Sequence, residues 1–179
     1  AINTLVKLSA SIRSNLSKVV LLLFGEIFYC DNFISKWVKF LIPAILIQSA
    51  SNKGFIRDQA LLCLDNIART KSKYEYEIIS TLSDEIMNKN INISENSLNC
   101  LIKFLKQCDI NLNKHEWNVV INKNINIYNM IKDNYTKKAI RLLNVYISIL
   151  GDDINHIGLS QESISKVEKM QKESIKFKK

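Results

Sequence analysis

The chain has 179 residues, 47% of them hydrophobic and 23% charged, enough apolar surface for a continuous core and too much for a disordered polymer. One proline and four glycines are too few for the many tight turns of an all-β fold, which leaves helices as the natural reading. The net charge of +8 favours acidic partners, and the longest apolar runs, Val19 to Phe24 and Phe40 to Ile47, fall far short of the roughly 20 residues that span a bilayer.

Residues 1–8 read as the end of a helix, because Ile2, Leu5 and Val6 open directly on an apolar pattern; an N-terminal part of the domain is expected to lie outside this sequence. Ser9 to Ser14 breaks the pattern, and a helix follows from Asn15 to Cys30 with Leu16, Val20, Phe24 and Ile27 on one face. Asp31-Asn32 offers an N-cap for a helix from Phe33 to Gln48, in which Pro43 should produce a kink near Lys39. The polar turn at Ser49 to Lys53 leads into a helix striped by Ile56, Ala60, Leu64 and Ile67.

Lys73 to Met87 carries Tyr76, Ile79, Leu82 and Ile86 at helical spacing, and Asn88 to Asn92 ends it. Asn92 with Glu95 reads as a capping box for a helix to Cys108, striped by Ile93, Ser97, Leu101 and Phe104. Residues 113–131 are rich in asparagine, which lowers helix propensity, but Trp117, Val120, Ile121 and Ile125 still anchor a helical face. Tyr135, Ala139, Leu143 and Tyr146 restore the stripe up to Gly151-Asp152-Asp153, and an amphipathic segment from Leu159 to Phe177 closes the chain.

Four stripes therefore begin at Leu16, Ile56, Ile93 and Tyr135, separated by 40, 37 and 42 residues. Ser-Ala-Ser at 9–11 returns at 49–51, again 40 apart. Such a period is that of a two-helix solenoid repeat, in which one hairpin cannot bury both faces and stacking on its neighbours supplies the core. The expected fold is an all-α solenoid of about four to four and a half repeats over residues 1–157, followed at 158–179 by a C-terminal amphipathic capping helix and basic tail. Residues 1–70 hold eight basic and four acidic side chains and 111–150 hold six and two, so the basic excess lies in two separated regions.

Catalytic patterns find no foothold. Cys30, Cys63, Cys100 and Cys108 lack Cys-x-x-Cys spacing, and three of them lie in apolar helical surroundings; this fits reduced thiols in a cytoplasmic protein. His115 and His156 are far apart and without cysteines at ligand spacing, so no metal or other cofactor is expected. No nucleophile can be matched to a histidine and carboxylate, glycine-rich phosphate loops are absent, and the acidic pairs read as helix-end or solvated charges. The reading is a protein that binds and does not catalyse. Trp37, Phe40, Trp117 and the aromatics of the stripes are expected in the core by their helical spacing.

Leu41-Ile42-Pro43 in one helix, with Phe55-Ile56-Arg57 opening the next, resembles the HEAT repeat, whose first helix often carries a proline and whose second opens with a Val-Arg-like pair. More narrowly, Ser11-Ile12-Arg13-Ser14-Asn15-Leu16-Ser17-Lys18, followed by Asn52-Lys53-Gly54-Phe55-Ile56-Arg57-Asp58-Gln59-Ala60, is similar to the TOG domain of the CLASP and ciliary TOG-array branch. The resemblance covers about Leu5 to Ala68. It implies binding of tubulin or microtubules, at the cytoskeleton, through the turns inside the repeats. On this chain the contact residues would be Arg13, Asn15, Asn52, Lys53, Arg57, Lys89, Lys132, Lys137 and Lys138. Neither Trp37 nor Trp117 matches the tryptophan that the family carries in its first repeat's turn.

Other readings stand beside this one. In HEAT repeats an arginine at the place of Arg57 commonly braces a neighbouring turn through an acidic residue, which would make it structural. Lys137 and Lys138 are expected in the first turn of a helix, where cations oppose the macrodipole and so point to use in binding. A HEAT adaptor or oligomer without tubulin affinity is one rival function. A nucleic-acid-binding helical repeat is the other, disfavoured because the aromatics fall on the buried stripe.

Overall fold

A computed structural model describes residues 2–11, 14–28, 37–70, 74–130 and 133–177. Among them the chain forms nine α-helices and no strand: α1 (Ile2–Ser9), α2 (Ser14–Ile27), α3 (Val38–Ser49), α4 (Gly54–Arg69), α5 (Glu75–Ile86), α6 (Ile91–Gln107), α7 (Lys114–Tyr128), α8 (Asp133–Leu150) and α9 (Gln161–Phe177). A 3-10 turn, Gly151–His156, follows α8. The helices pair into four hairpins with one further helix, the all-α repeat arrangement that the 37- to 42-residue period predicts. No helix of the described residues is long and apolar enough to cross a membrane.

The stripes become the core. Ile56, Ala60, Leu64 and Ile67 are all buried on α4, as are Ile93, Ser97, Leu101 and Phe104 on α6 and Tyr135, Ala139, Leu143 and Tyr146 on α8. Each fully buried Leu, Ile or Phe contributes about 1.5–3 kcal/mol. Periodicity alone selects these residues, because positions three and four apart share one helix face.

The chain divides into two compact units, residues 1–109 and 110–179. The boundary expected at 157/158 falls inside the second of these. Unit 1 holds three hairpins, α1–α2, α3–α4 and α5–α6. Its first helices stack in the order α1, α3, α5 and its second helices in the order α2, α4, α6, with each hairpin packed against the next. Side chains tie the layers. The thiols of Cys63 and Cys100 donate to the carbonyls of Leu21 (2.7 Å) and Leu64 (3.3 Å) in the preceding second helix, and Asp65 on α4 pairs with Lys103 on α6 at 2.8 Å. Buried serines let the hairpins close: Ser97 donates to the Leu82 carbonyl at 2.7 Å, so its hydroxyl is satisfied between α6 and α5.

Unit 2 holds the α7–α8 hairpin with α9 packed on both helices. Trp117 and Tyr146 meet edge to face inside it, with centroids 5.8 Å apart. The asparagines of α7 serve this unit. Asn113 and Glu116 form a reciprocal capping box, and Asn124 donates to the Ala139 carbonyl at 3.0 Å. Asn118 donates to the Gly158 carbonyl at 2.7 Å, where Gly158 has a φ of +79° that side chains other than glycine rarely adopt.

Two boundaries differ from the sequence reading. The N-cap of α6 is Asn90, whose side-chain oxygen accepts from the N–H groups of Asn92 (3.0 Å) and Ile93 (3.4 Å); Asn92 already lies in the first turn, so the expected Asn92–Glu95 box does not set the start. Described helix α3 begins at Val38 with no side-chain cap, and the Asp31-Asn32 cap expected for it lies outside the described residues. Pro43 falls in the second turn of α3.

The turn edge of unit 1 as a candidate docking surface

Stacking first helix on first helix and second on second places the turns within successive hairpins along one edge of unit 1. The α3–α4 turn is built by Ser51, whose hydroxyl accepts from the Lys53 N–H at 3.2 Å. The α5–α6 turn repeats the device 37 residues later, where the Asn88 side chain accepts from the Asn90 N–H at 3.0 Å. Lys53 and Asn90 are thus equivalent, each the N-cap of the second helix. Their side chains behave differently. Asn90 caps α6, whereas the extended Lys53 makes no side-chain cap to α4 and is exposed.

Around Lys53 the chain presents Asn52, Phe55 and Arg57, all exposed. Lys89 is exposed in the next turn and Asn15 at the start of α2, so these residues share the edge. Lys53 and Lys89 form no ion pair among the described residues. Arg13 lies outside the described residues, forty positions before Lys53.

Among the described residues, Arg57 makes no ion pair to a neighbouring turn. Its Nε lies 3.9 Å from Oδ1 of Asp58, the next residue, and both side chains are largely exposed, a pairing worth little in water. The bracing is done by Asn96 on α6, whose amide donates to the Ser49 hydroxyl at 2.9 Å and to its carbonyl at 3.4 Å, linking the third hairpin to the turn of the second. Sequence periodicity gave no signal for Asn96, because its partner sits 47 residues away.

Phe40 is the aromatic that the helical-spacing argument misplaced in the core, and Phe55 is a second exposed ring. Phe55 is 47% exposed between Lys53 and Arg57, and Phe40 is 41% exposed, so neither belongs to the core. The signal was present in the register. Ile56 opens the buried stripe of α4, and a helix turns 100° per residue, so Phe55 must point away from it.

The lysines expected in unit 2 do not act as a group. Lys132 lies outside the described residues, Lys137 is exposed, and Lys138 is buried at 4% exposure. Its ammonium sits 5.5 Å from the centroid of the Tyr135 ring, with its apolar stem covered. Lys138 is therefore corrected from a contact residue to a packed one. Helix α8 opens at Asp133, so both lysines lie beyond its first turn and Lys138 falls three residues after Tyr135, on the buried face.

Chemically the edge offers cations, amides and one aromatic ring. Among the described residues no group of three His, Cys, Asp or Glu is placed to hold a metal ion. Both histidines are exposed, and burial pushes the thiols of Cys63 and Cys100 up to about 11 and about 12, away from nucleophilic use.

No protein-family model and no curated protein matches the chain. Among solved structures, the chain is similar to an engineered protein whose crystal structure came from a structural-genomics consortium, with 14% identity and a TM-score of 0.40, over 95% of this chain and 68% of that one. A likeness at that level says nothing of what this chain binds.

Proposed function

We propose that the turn edge of unit 1 is a non-catalytic docking surface for an acidic protein, and that the partner is tubulin or the microtubule lattice, as the resemblance to TOG domains implies. The observation that carries this reading is Lys53. Its position calls for a capping oxygen, which Asn90 supplies one repeat later, and the chain instead exposes a cation there. Arg57 and Lys89 add charge along the same edge, and Phe55 adds an apolar anchor of the kind that dominates protein interfaces. The mechanism is electrostatic capture by turns already held in place by Ser51, Asn88 and Asn96, with little change of shape on binding. On this reading the chain acts at the cytoskeleton.

Gel filtration of the chain with soluble tubulin at low and moderate salt tests the proposal. Co-elution is expected at low salt and should disappear when Lys53→Glu and Arg57→Glu are combined. Absence of a complex at low salt, or a complex indifferent to the double reversal, would overturn it. Exposed Phe55 between two cations is also the pattern that stacks a nucleobase. Strong binding to single-stranded RNA at matched salt, with none to tubulin, would therefore assign the same edge to nucleic acid.

A further inference from the structure

The first helices of unit 1 stack side by side, α1 on α3 and α3 on α5, so α3 is flanked on both sides. Repeated hydrogen bonds mark their register. Ser9 donates to the Val6 carbonyl and Ser49 to that of Leu46, each at 2.7 Å and 40 positions apart, and Ser51 and Asn88 build equivalent turns 37 apart. On α3 the core side holds Val38, Leu41, Ile42, Ile45 and Ser49, all buried. The opposite side carries Phe40, Pro43, Ile47 and, at the C-cap, Ala50. Phe40 is 41% and Ile47 56% exposed, while Pro43 and Ala50 are half-buried. Repeats stack along the array and not across this face, so the strip lies outside the packing between hairpins. Its spacing of three, four and three residues is the pattern by which two parallel helices pack. The register also sets Lys7 of α1 and Asp84 of α5 level with Ile47, one helix to either side, and both are exposed.

We propose that this face is a two-fold dimer interface whose axis runs along α3, so that α3 of one copy packs parallel on α3 of a second copy. Such an axis exchanges the two flanks, and α1 of each copy comes to lie over α5 of the other. Position along the helices is preserved. Phe40 and Ile47 therefore meet their own counterparts, and Lys7 meets the second copy's Asp84, twice in each dimer. The antiparallel alternative, with the axis across α3, would lay α1 on α1 and α5 on α5. That would bring Lys7 close to the second copy's Lys7, and Glu77 and Asp84 close to the same two acids. Charge thus selects the parallel pair. The interface includes neither Lys53 nor Arg57, and it stands whether or not the turn edge binds tubulin.

Sedimentation velocity of the full chain from about 1 to about 300 μM should show the mass rising from monomer to dimer. Ile47→Glu is expected to weaken the dimer at least about thirtyfold while the helical circular dichroism and the melting temperature hold, since removing an exposed side chain leaves no core cavity. Lys7→Glu and Asp84→Lys should each weaken it about fivefold, because either change sets like charges together twice in the dimer. The two changes combined in one chain, or the two single variants mixed in equal amounts, should restore the affinity to within about twofold. Within one chain Lys7 and Asp84 stand two helix spacings apart, about 16–20 Å, so such a rescue comes from contact between copies. A monomer throughout that range, a dimer indifferent to Ile47→Glu or to the single charge changes, or charge changes that fail to rescue each other would each overturn the proposal. The first of these results would leave the strip to a helix of another protein.

Discussion

The first turn of a helix leaves backbone N–H groups without intrahelical partners, so a side-chain oxygen at the N-cap stabilises it and a nearby cation does not. At Lys53 the chain forgoes the oxygen and presents the cation. Replacing Lys53 by Asn should therefore raise stability by about 1 kcal/mol, seen as a higher melting temperature, while lowering affinity for tubulin. A gain in both would remove Lys53 from the contact surface. Phe55→Ala separates the same two properties differently. Its exposure predicts a stability change within about 0.5 kcal/mol, whereas loss of an interface anchor should cost about tenfold in affinity. The buried thiols make a third case. Burial raises Cys63 and Cys100 from an ordinary value of 9.0, so in the unfolded chain they ionise at lower pH than in the folded one. Their contribution is fully present below pH 9 and is lost as pH rises toward the folded values. Urea midpoints compared at about pH 8 and about pH 10.5 should fall less for Cys63→Ala with Cys100→Ala than for the parent chain.

Among the elements, α7 shows how tertiary partners override local propensity. Asparagine is a poor helix former because its amide competes for backbone groups, and a run of it argues for a loop. In unit 2 those amides are occupied elsewhere: Asn118 on Gly158, Asn124 on Ala139, Asn122 accepting from Ser163. The helix also starts well, through the box between Asn113 and Glu116. Asn113→Ala should destabilise the unit by about 1 kcal/mol, read from urea unfolding followed by Trp117 fluorescence, and an unchanged midpoint would show that the cap contributes nothing. In unit 1 the corresponding lesson concerns the turns. Ser51 and Asn88 are different residue types performing one task at one register position, which identity of sequence hides and hydrogen bonding reveals.

For the whole molecule, a net charge of +8 predicts attraction to acidic partners that weakens with ionic strength, since exposed charges are screened within a Debye length of about 8 Å at physiological salt. The salt dependence of tubulin binding should be steeper for the parent chain than for the Lys53→Glu, Arg57→Glu variant, whose residual attraction is the general field alone. Charge by itself cannot choose the edge, because the basic residues are spread along the chain. The sequence alone determined that the chain is helical, where its repeats begin and which residues fill each hairpin, because a period near 3.6 and a repeat near 40 residues are written in local spacing. It also determined that Lys53 and Lys89 lie in turns and that Arg57 stands at the start of the helix after the first of them. Only the tertiary structure decided that Lys138 is buried and Lys137 exposed, that Asn96 braces the turns and that the chain forms two compact units. Each of these depends on which side chain comes against a given face from another hairpin or turn, and single-helix periodicity carries no information about that neighbour.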